Sequence, residues 1–338
     1  MPPKRGIPVI WALRMAIPPV AHFCWIGPRL PWAYGFALLS AAANAGMAEV
    51  VLHHTDALED GPVLRALGAA KGLRLHHLAP EAYLAPVQQR LGLGAALTGL
   101  YAGLPSPVQR SDLLRAAILY AEGGIYIDMD TVTVAPLAGL LDATQFIGAE
   151  QIVWPHWVYG SRSPLVWAKH LTLDVLRKAL RLTPAGWRGF RLVQGWYVSA
   201  VNNAVMGAEP QAPLFADALR VMAGLPAGAR PSPYALGPDL YQSLLRSLSY
   251  PGLVVHPPAR FYPLPPEISE HWFRPCRRAE SVLAEILLPE TLVVHWYGSI
   301  RNAANLAQIS PASVRQLAPT QLYSALVQAC LPEVKQAQ

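Results

Sequence analysis

Ser106-Pro-Val-Gln-Arg-Ser-Asp-Leu-Leu-Arg-Ala-Ala-Ile-Leu-Tyr-Ala-Glu-Gly-Gly-Ile-Tyr-Ile-Asp-Met-Asp130 is the stretch whose reading decides the fold. Ser106 suits an N-cap, Pro107 the first helical position, and Gly123 the left-handed residue that ends a helix. The spacing predicts a helix over 107–122 and, after Gly123-Gly124, a strand over 125–128. Asp128-Met129-Asp130 then falls at the strand's carboxyl end, where open α/β sheets bind their ligands. Two carboxylates one residue apart can both turn towards a hard divalent cation, magnesium or manganese, which bridges to phosphate oxygens. An Asp-x-Asp pair alone more often just opens a loop, so its surroundings decide. Asp112 and Arg115 stand three apart on the preceding helix, hence on one face. Their neighbours are almost all apolar, which predicts a charged pair facing a polar cleft.

Working outwards, 20–26 is a short apolar run closed by Gly27-Pro28 and reads as a buried strand. A helix over about 31–45, a strand over 49–53, a short helix over 61–68 and a strand over 73–76 follow. Strands alternating with helices indicate βαβ units and a largely parallel sheet. Residues 80–105 read as less regular helix. Beyond residue 150 the pattern loosens. A strand over 198–206, a helix over 213–223, Pro- and Gly-rich loops over 224–238, a strand over 291–295 and a helical end over 311–331 remain legible. The pairs His53-His54 and His76-His77 resemble metal ligands, but adjacent strand residues point to opposite faces and cannot share an ion.

Composition bounds the class. The chain has 338 residues, 53% hydrophobic and 14% charged, which excludes disorder. Its 27 Lys and Arg against 21 Asp and Glu give a net charge of +6, carried mostly by arginine. No window offers about 20 uninterrupted apolar residues for a membrane span. Cysteines 24, 276 and 330 fit neither a disulfide framework nor a metal cluster. The chain reads as cytoplasmic, with peripheral contact at the inner face of a membrane as an alternative. Residues 177–196 interleave arginine with tryptophan, which suits stacking on acceptor sugars, an anionic membrane or a solvated helix face. The charge is read as an acceptor or membrane face, with no nucleic acid as partner.

At this point the residues carry a resemblance. Ser-Asp-x-x-Arg-x-x-x-Leu-x-x-x-Gly-Gly-x-Tyr-x-Asp-x-Asp, from Ser111 to Asp130, resembles the signature of the DXD-containing glycosyltransferases. That superfamily includes yeast-type initiating mannosyltransferases, bacterial capsule and lipopolysaccharide transferases, and clostridial glucosylating toxins. Further marks resemble the family's in order: His22-Phe-Cys-Trp-Ile-Gly27, Leu52-His-His-Thr-Asp56, Asn202-Asn-Ala-Val-Met-Gly207, Gly237-Pro-Asp239 and His295-Trp-Tyr-Gly-Ser299. His54 stands where the family has Trp, and Ile300 where it has the closing Trp.

The resemblance implies an α/β fold of the nucleotide-diphospho-sugar transferase (GT-A) type, Rossmann-like, with a mostly parallel central sheet and an inserted helical region. Residues 1–19 would be an extension, 20–305 the catalytic domain and 306–338 a helical tail. Within the domain, 20–150 would bind the nucleotide sugar and 151–305 would complete the metal and acceptor site, with the insertion at about 160–197. Trp25 would stack on the base, beside Ile26, and Tyr126 would line the nucleotide pocket. Asp112 and Arg115 would hold sugar hydroxyls, and Asn203, or its neighbour Asn202, would sit near the sugar. Asp130 would bind Mn2+ or Mg2+ directly, Asp128 would contact ribose or the metal through water, and His295 or Ser299 would complete the metal and diphosphate site. The implied reaction moves a sugar, with retention, from a nucleotide-diphosphate donor to a carbohydrate, glycolipid or protein acceptor, UDP-sugars being favoured over GDP-sugars. Alternatives are a D-x-D phosphohydrolase, in which the aspartate pair should follow the first strand, and a silent nucleotide-sugar or carbohydrate-binding protein, in which donor binds without product.

Overall fold

The computed structural model describes residues 16–226, 232, 234–298 and 303–332. Residues 1–15 of the expected N-terminal extension, Ser299 and Ile300 therefore lie outside the described residues. The strands are β1 (Val20–Trp25), β2 (Glu49–His54), β3 (Leu73–His77), β4 (Gly124–Ile127), β5 (Thr131–Thr133), β6 (Gln145–Ile152), β7 (Val198–Ala208), β8 (Leu253–His256) and β9 (Val293–His295). Seven of them form one sheet in the order β3-β2-β1-β4-β7-β6-β8, and β5 pairs with β9 in a small second sheet. Every neighbouring pair in the large sheet is parallel except those made by β7, which runs against β4 and β6. The mostly parallel α/β sheet expected from the alternation is thus observed.

Strand side chains alternate between two apolar layers. Ile125 and Ile127 of β4 point into a cluster with Phe23, Leu52 and the helices Trp32–Asn44 and Pro62–Ala69. Tyr126 points the other way, into the cluster of the helices Pro107–Glu122, Pro213–Ala223 and Pro238–Ser247. Helices on both faces explain why β1, β2 and β4 read as continuous apolar runs rather than alternating ones. A third cluster joins β5 and β9 to the helices Ala279–Ile286 and Leu322–Cys330 through Trp272 and Trp296.

The helix Pro107–Glu122 has the expected bounds, with Ser106 in extended conformation but making no side-chain cap bond. Its exit is sterically dictated. Gly123 and Gly124 have φ of +70° and +88°, and a Cβ on Gly124 would meet the Val20 carbonyl oxygen at 2.7 Å. Only glycine passes there, and the double glycine lets β4 start hard against β1.

Elements after residue 133 were harder to read. β6 and β8 went unread in the sequence, because an apolar run with one glutamate and a four-residue edge strand carry weak periodicity. The expected late helix is two, Pro311–Leu317 and Leu322–Cys330. His53 and His54 do face opposite sides. The buried His53 lies 3.0 Å from both His22 Nδ1 and His76 Nδ1, while His54 meets the ring of His77. Burial pushes His22 down to about 4 and His53 to about 2, so these two imidazoles stay neutral. No described helix is long and apolar enough to cross a membrane.

Candidate active site

β4 ends at Ile127, and the chain turns through Asp128, Met129 and Asp130 into β5. The Asp128 N–H donates to the Ala204 carbonyl on β7 (2.8 Å), and Thr131 Oγ1 donates back to the Asp128 carbonyl (2.7 Å). The Asp130 carbonyl accepts from the Trp296 N–H (3.0 Å), so the β5–β9 pairing brings His295 alongside the aspartate pair across 165 residues of sequence. His295 Nε2 lies 2.9 Å from Asp130 Oδ1, and the Gly298 N–H donates to Asp130 Oδ2 at 2.7 Å.

Arg115 organises the other half. Its two terminal nitrogens grip the Asp128 carboxylate as a fork, at 2.8 and 3.3 Å. Nη2 also lies 3.4 Å from Asp112 Oδ1, and Nη1 donates to the Asn203 carbonyl at 2.5 Å. Asn203 Nδ2 donates to Asp112 Oδ1 at 2.8 Å, which closes a ring of polar contacts. The Asp112–Arg115 pair is thus buried, with both side chains at most 5% exposed. Gly237 packs directly on this group: a Cβ there would stand 3.2 Å from the Asp112 carboxylate. The Gly-Pro turn singled out in the sequence therefore lets the chain approach Asp112 closely.

Burial raises Asp112 above the usual carboxylate range, although Arg115 and the Asn203 amide oppose it. Asp128 is pushed up to about 6 by burial and by the like charge of Asp130, against the pull of Arg115. Burial would raise Asp130 too, but the adjacent His295 and the Gly298 N–H hold it below its ordinary value. His295 is raised for the reciprocal reason: burial opposes its charge, and Asp130 outweighs burial. Asp130 and His295 therefore form an ion pair beside an Asp128 that titrates near neutrality.

The residues present fit a divalent cation. Single ligand atoms of Asp128, Asp130 and His295 all lie within 4.8 Å of one another. Two carboxylates and one imidazole form a hard-to-borderline donor set of the kind that suits Mn2+ or Mg2+. The trio opens into a cavity of about 650 Å³, with Trp25, Ile26 and Tyr34 on one wall and Asp112, Arg115 and Asn203 on another. The Trp25 ring leans on Tyr34, with centroids 4.8 Å apart, and its buried indole N–H has no hydrogen-bond partner in the protein.

Tyr126 sits a layer deeper than the resemblance implied. It is fully buried, its ring lies 4.7 Å under the Arg115 guanidinium, and its hydroxyl is 3.2 Å from Ser111 Oγ. It supports the arginine instead of lining the cavity, because β4 alternation turns it into the helix layer. Ser299 lies outside the described residues. Arg177, read with the arginine- and tryptophan-rich surface, turns inwards to the cavity and pairs with Asp174 and with Glu267 at 2.5 Å.

Sequence reading missed Glu150, a lone acid in the apolar run of β6. Its carboxylate faces the cavity, and the Tyr297 hydroxyl donates to Oε2 at 2.7 Å. Tyr297 holds a left-handed φ of 56° and lays its ring 4.0 Å from that of His295. Only a strained backbone at a non-glycine residue turns it there. Burial pushes Glu150 up to about 7, against hydrogen bonds from Asn202 and Tyr297. A raised pKa contributes stability that is present below pH 4.5 and lost as pH rises through about 7. In metal-free protein, Glu150→Gln removes this dependence. Its stability relative to the parent should rise by about 3 kcal/mol between pH 4.5 and 8. Urea unfolding across pH checks this, and parallel profiles for the two proteins would refute it.

The fold and the site together define a ligand-binding α/β protein whose carboxylate pair lies at a strand end. Residues 86–151 match the family described as glycosyltransferase sugar-binding region containing DXD motif. That segment holds the Asp128-Met129-Asp130 stretch and the helix before it, and over it the chain is similar to the DXD-containing glycosyltransferases. Among solved structures it is similar to the PaToxG glycosyltransferase at 14% identity, covering 95% of this chain and 87% of that one, with a TM-score of 0.45. It is also similar to the WbbM bifunctional glycosyltransferase at 14% identity and a TM-score of 0.46, covering 96% of this chain but only 52% of that one. Mouse xyloside xylosyltransferase 1 aligns at 12% identity over 81% of this chain and 96% of its own, with a TM-score of 0.41. No curated protein sequence matches the chain significantly.

Proposed function

We propose that the protein is a metal-dependent, retaining glycosyltransferase that moves a sugar from a nucleotide-diphosphate donor, UDP-linked in preference to GDP-linked, to a carbohydrate, glycolipid or protein acceptor. It would work in the cytoplasm at the inner face of the membrane, with residues 20–305 as its catalytic unit. The observation that carries the reading is the convergence of Asp128, Asp130 and His295 within 4.8 Å at the edge of a cavity walled by Trp25 and Ile26. A cation bound by that trio supplies electrostatic neutralisation of the diphosphate leaving group.

The chain's own residues do the remaining work. Trp25 offers an aromatic face to the base. Asp112 and Asn203, already hydrogen-bonded to each other, present their remaining polar valences to donor-sugar hydroxyls. Arg115 holds the Asp128 carboxylate in a fixed orientation, so it need not reorganise as charge develops on the diphosphate. Glu150 stands across the cavity as a group that exchanges a proton near neutral pH.

A panel of nucleotide sugars tested by thermal unfolding with and without manganese tests the reading, since a ligand specific to the folded state raises stability by mass action. UDP-sugars should raise the midpoint only with manganese present, and GDP-sugars should raise it less. No shift with any nucleotide sugar would overturn the reading. A shift without product would support a silent binder instead.

A further inference from the structure

We propose that segment 156–196 is a preformed docking surface for an anionic lipid bilayer, placed so that the cavity mouth opens beside the lipid surface. This deepens the peripheral location proposed above by assigning the surface that makes the contact.

The helix Pro164–Leu182 buries His170, Leu173 and Asp174 and turns its apolar side outwards. Leu165, Leu171, Val175 and Leu182 are 81%, 52%, 66% and 73% exposed. At 100° per residue these four fall within an arc of about 120°, and Lys169 and Lys178 fall just beyond its two edges. An exposed apolar stripe rimmed by lysines is the pattern of a helix that lies in a lipid interface, its lysine stems reaching to headgroups. Trp157, Tyr159, Leu192 and Trp196 extend the apolar surface on either side of the helix, each 40% exposed or more. Among the described residues, half of the large hydrophobic side chains that are exposed fall between residues 157 and 196. Such concentration marks a contact surface, whereas scattered exposure would not.

Charge selects lipid as the occupant. Segment 156–196 carries seven Lys and Arg and one Asp, so its net charge equals the +6 of the whole chain. Glu267, Glu270 and Glu285 from outside the segment pair with Arg177, Arg181 and Arg188, and these pairs pin the surface to the body. Arg162 and Lys169 have no acidic partner among the described residues, and the patch stays positive. His156 and Tyr159 of this segment line the cavity, as does Trp154, on which Tyr159 stacks, so a membrane-held acceptor would arrive at the site's rim.

Cosedimentation of the full chain with phosphatidylcholine vesicles, with and without phosphatidylglycerol, tests the proposal. The parent should sediment with the anionic vesicles and progressively less as salt rises. Leu165→Ser combined with Val175→Ser and Leu182→Ser should weaken binding by roughly tenfold or more. That variant should keep its melting temperature and its hydrolysis of soluble donor. Arg162→Glu with Lys169→Glu should remove the preference for anionic lipid. Parent protein left in the supernatant overturns the proposal, as does a serine variant that binds like the parent. Concentration-dependent self-association that vesicles do not compete away also overturns it, in favour of an interface between copies. Vesicle binding without donor turnover in any variant would leave the docking surface standing and count against the transferase reading alone.

Discussion

Asp130→Ala should lower metal-dependent donor turnover by about a thousandfold, while Asp130→Asn, which keeps the shape, should lose nearly as much. Asp130 is the residue on which both halves of the trio depend. Its carboxylate takes His295 on one oxygen and the Gly298 N–H on the other. Removing it deletes one of the two carboxylates proposed to hold the cation and frees the β9 end that presents His295. A thousandfold loss corresponds to about 4 kcal/mol of lost charge stabilisation in the transition state, within the range a metal centre supplies. Donor hydrolysis with manganese, beside a manganese titration of each variant, measures it. Turnover and metal affinity both at parent level in Asp130→Ala would remove Asp130 from the site.

Replacing Arg115 by leucine should act on stability as much as on activity. The guanidinium is 4% exposed and faces two carboxylates, Asp112 and Asp128. Its loss strands both carboxylates in a buried site, which typically costs about 3–5 kcal/mol. Each carboxylate then loses the guanidinium that opposed burial and has its pKa raised further, so the cost is present above the ordinary carboxylate range and shrinks as the groups protonate. The loss should therefore be smaller at pH 5 than at pH 8. Arg115→Lys keeps the charge but not the fork on Asp128, and should recover stability better than activity. Urea midpoints at the two pH values check the claim; a pH-independent loss would mean the destabilisation comes from packing over Tyr126 instead.

These two outcomes separate what was legible along the chain from what was not. The helix over 107–122 and the strand after it were readable because capping, proline, glycine and periodicity all agree locally there. The parallel sheet followed from the alternation up to residue 77. β6 was not readable, since a glutamate inside an apolar run breaks every simple period. With it went Glu150, whose place in the cavity depends on β6 pairing with β7 and β8. The insertion was visible only as composition. Nothing along the chain separates Arg177, which turns inwards to Glu267, from Lys169, which stays outside.

The sequence by itself determined the aspartate pair at a strand end, the charged pair on the helix before it, and the double glycine that joins them. Each depends on residues within about one helix and one strand, where backbone sterics and spacing act without help from distant chain. Tertiary structure alone decided that His295 meets Asp130, that Asn203 and Gly237 close around Asp112, and that Tyr126 lies beneath Arg115 instead of beside the ligand. The contacts of Asn203 with Asp112 and of His295 with Asp130 join residues 91 and 165 apart. Strand pairing and the burial of both sheet faces set them, and no local pattern encodes either.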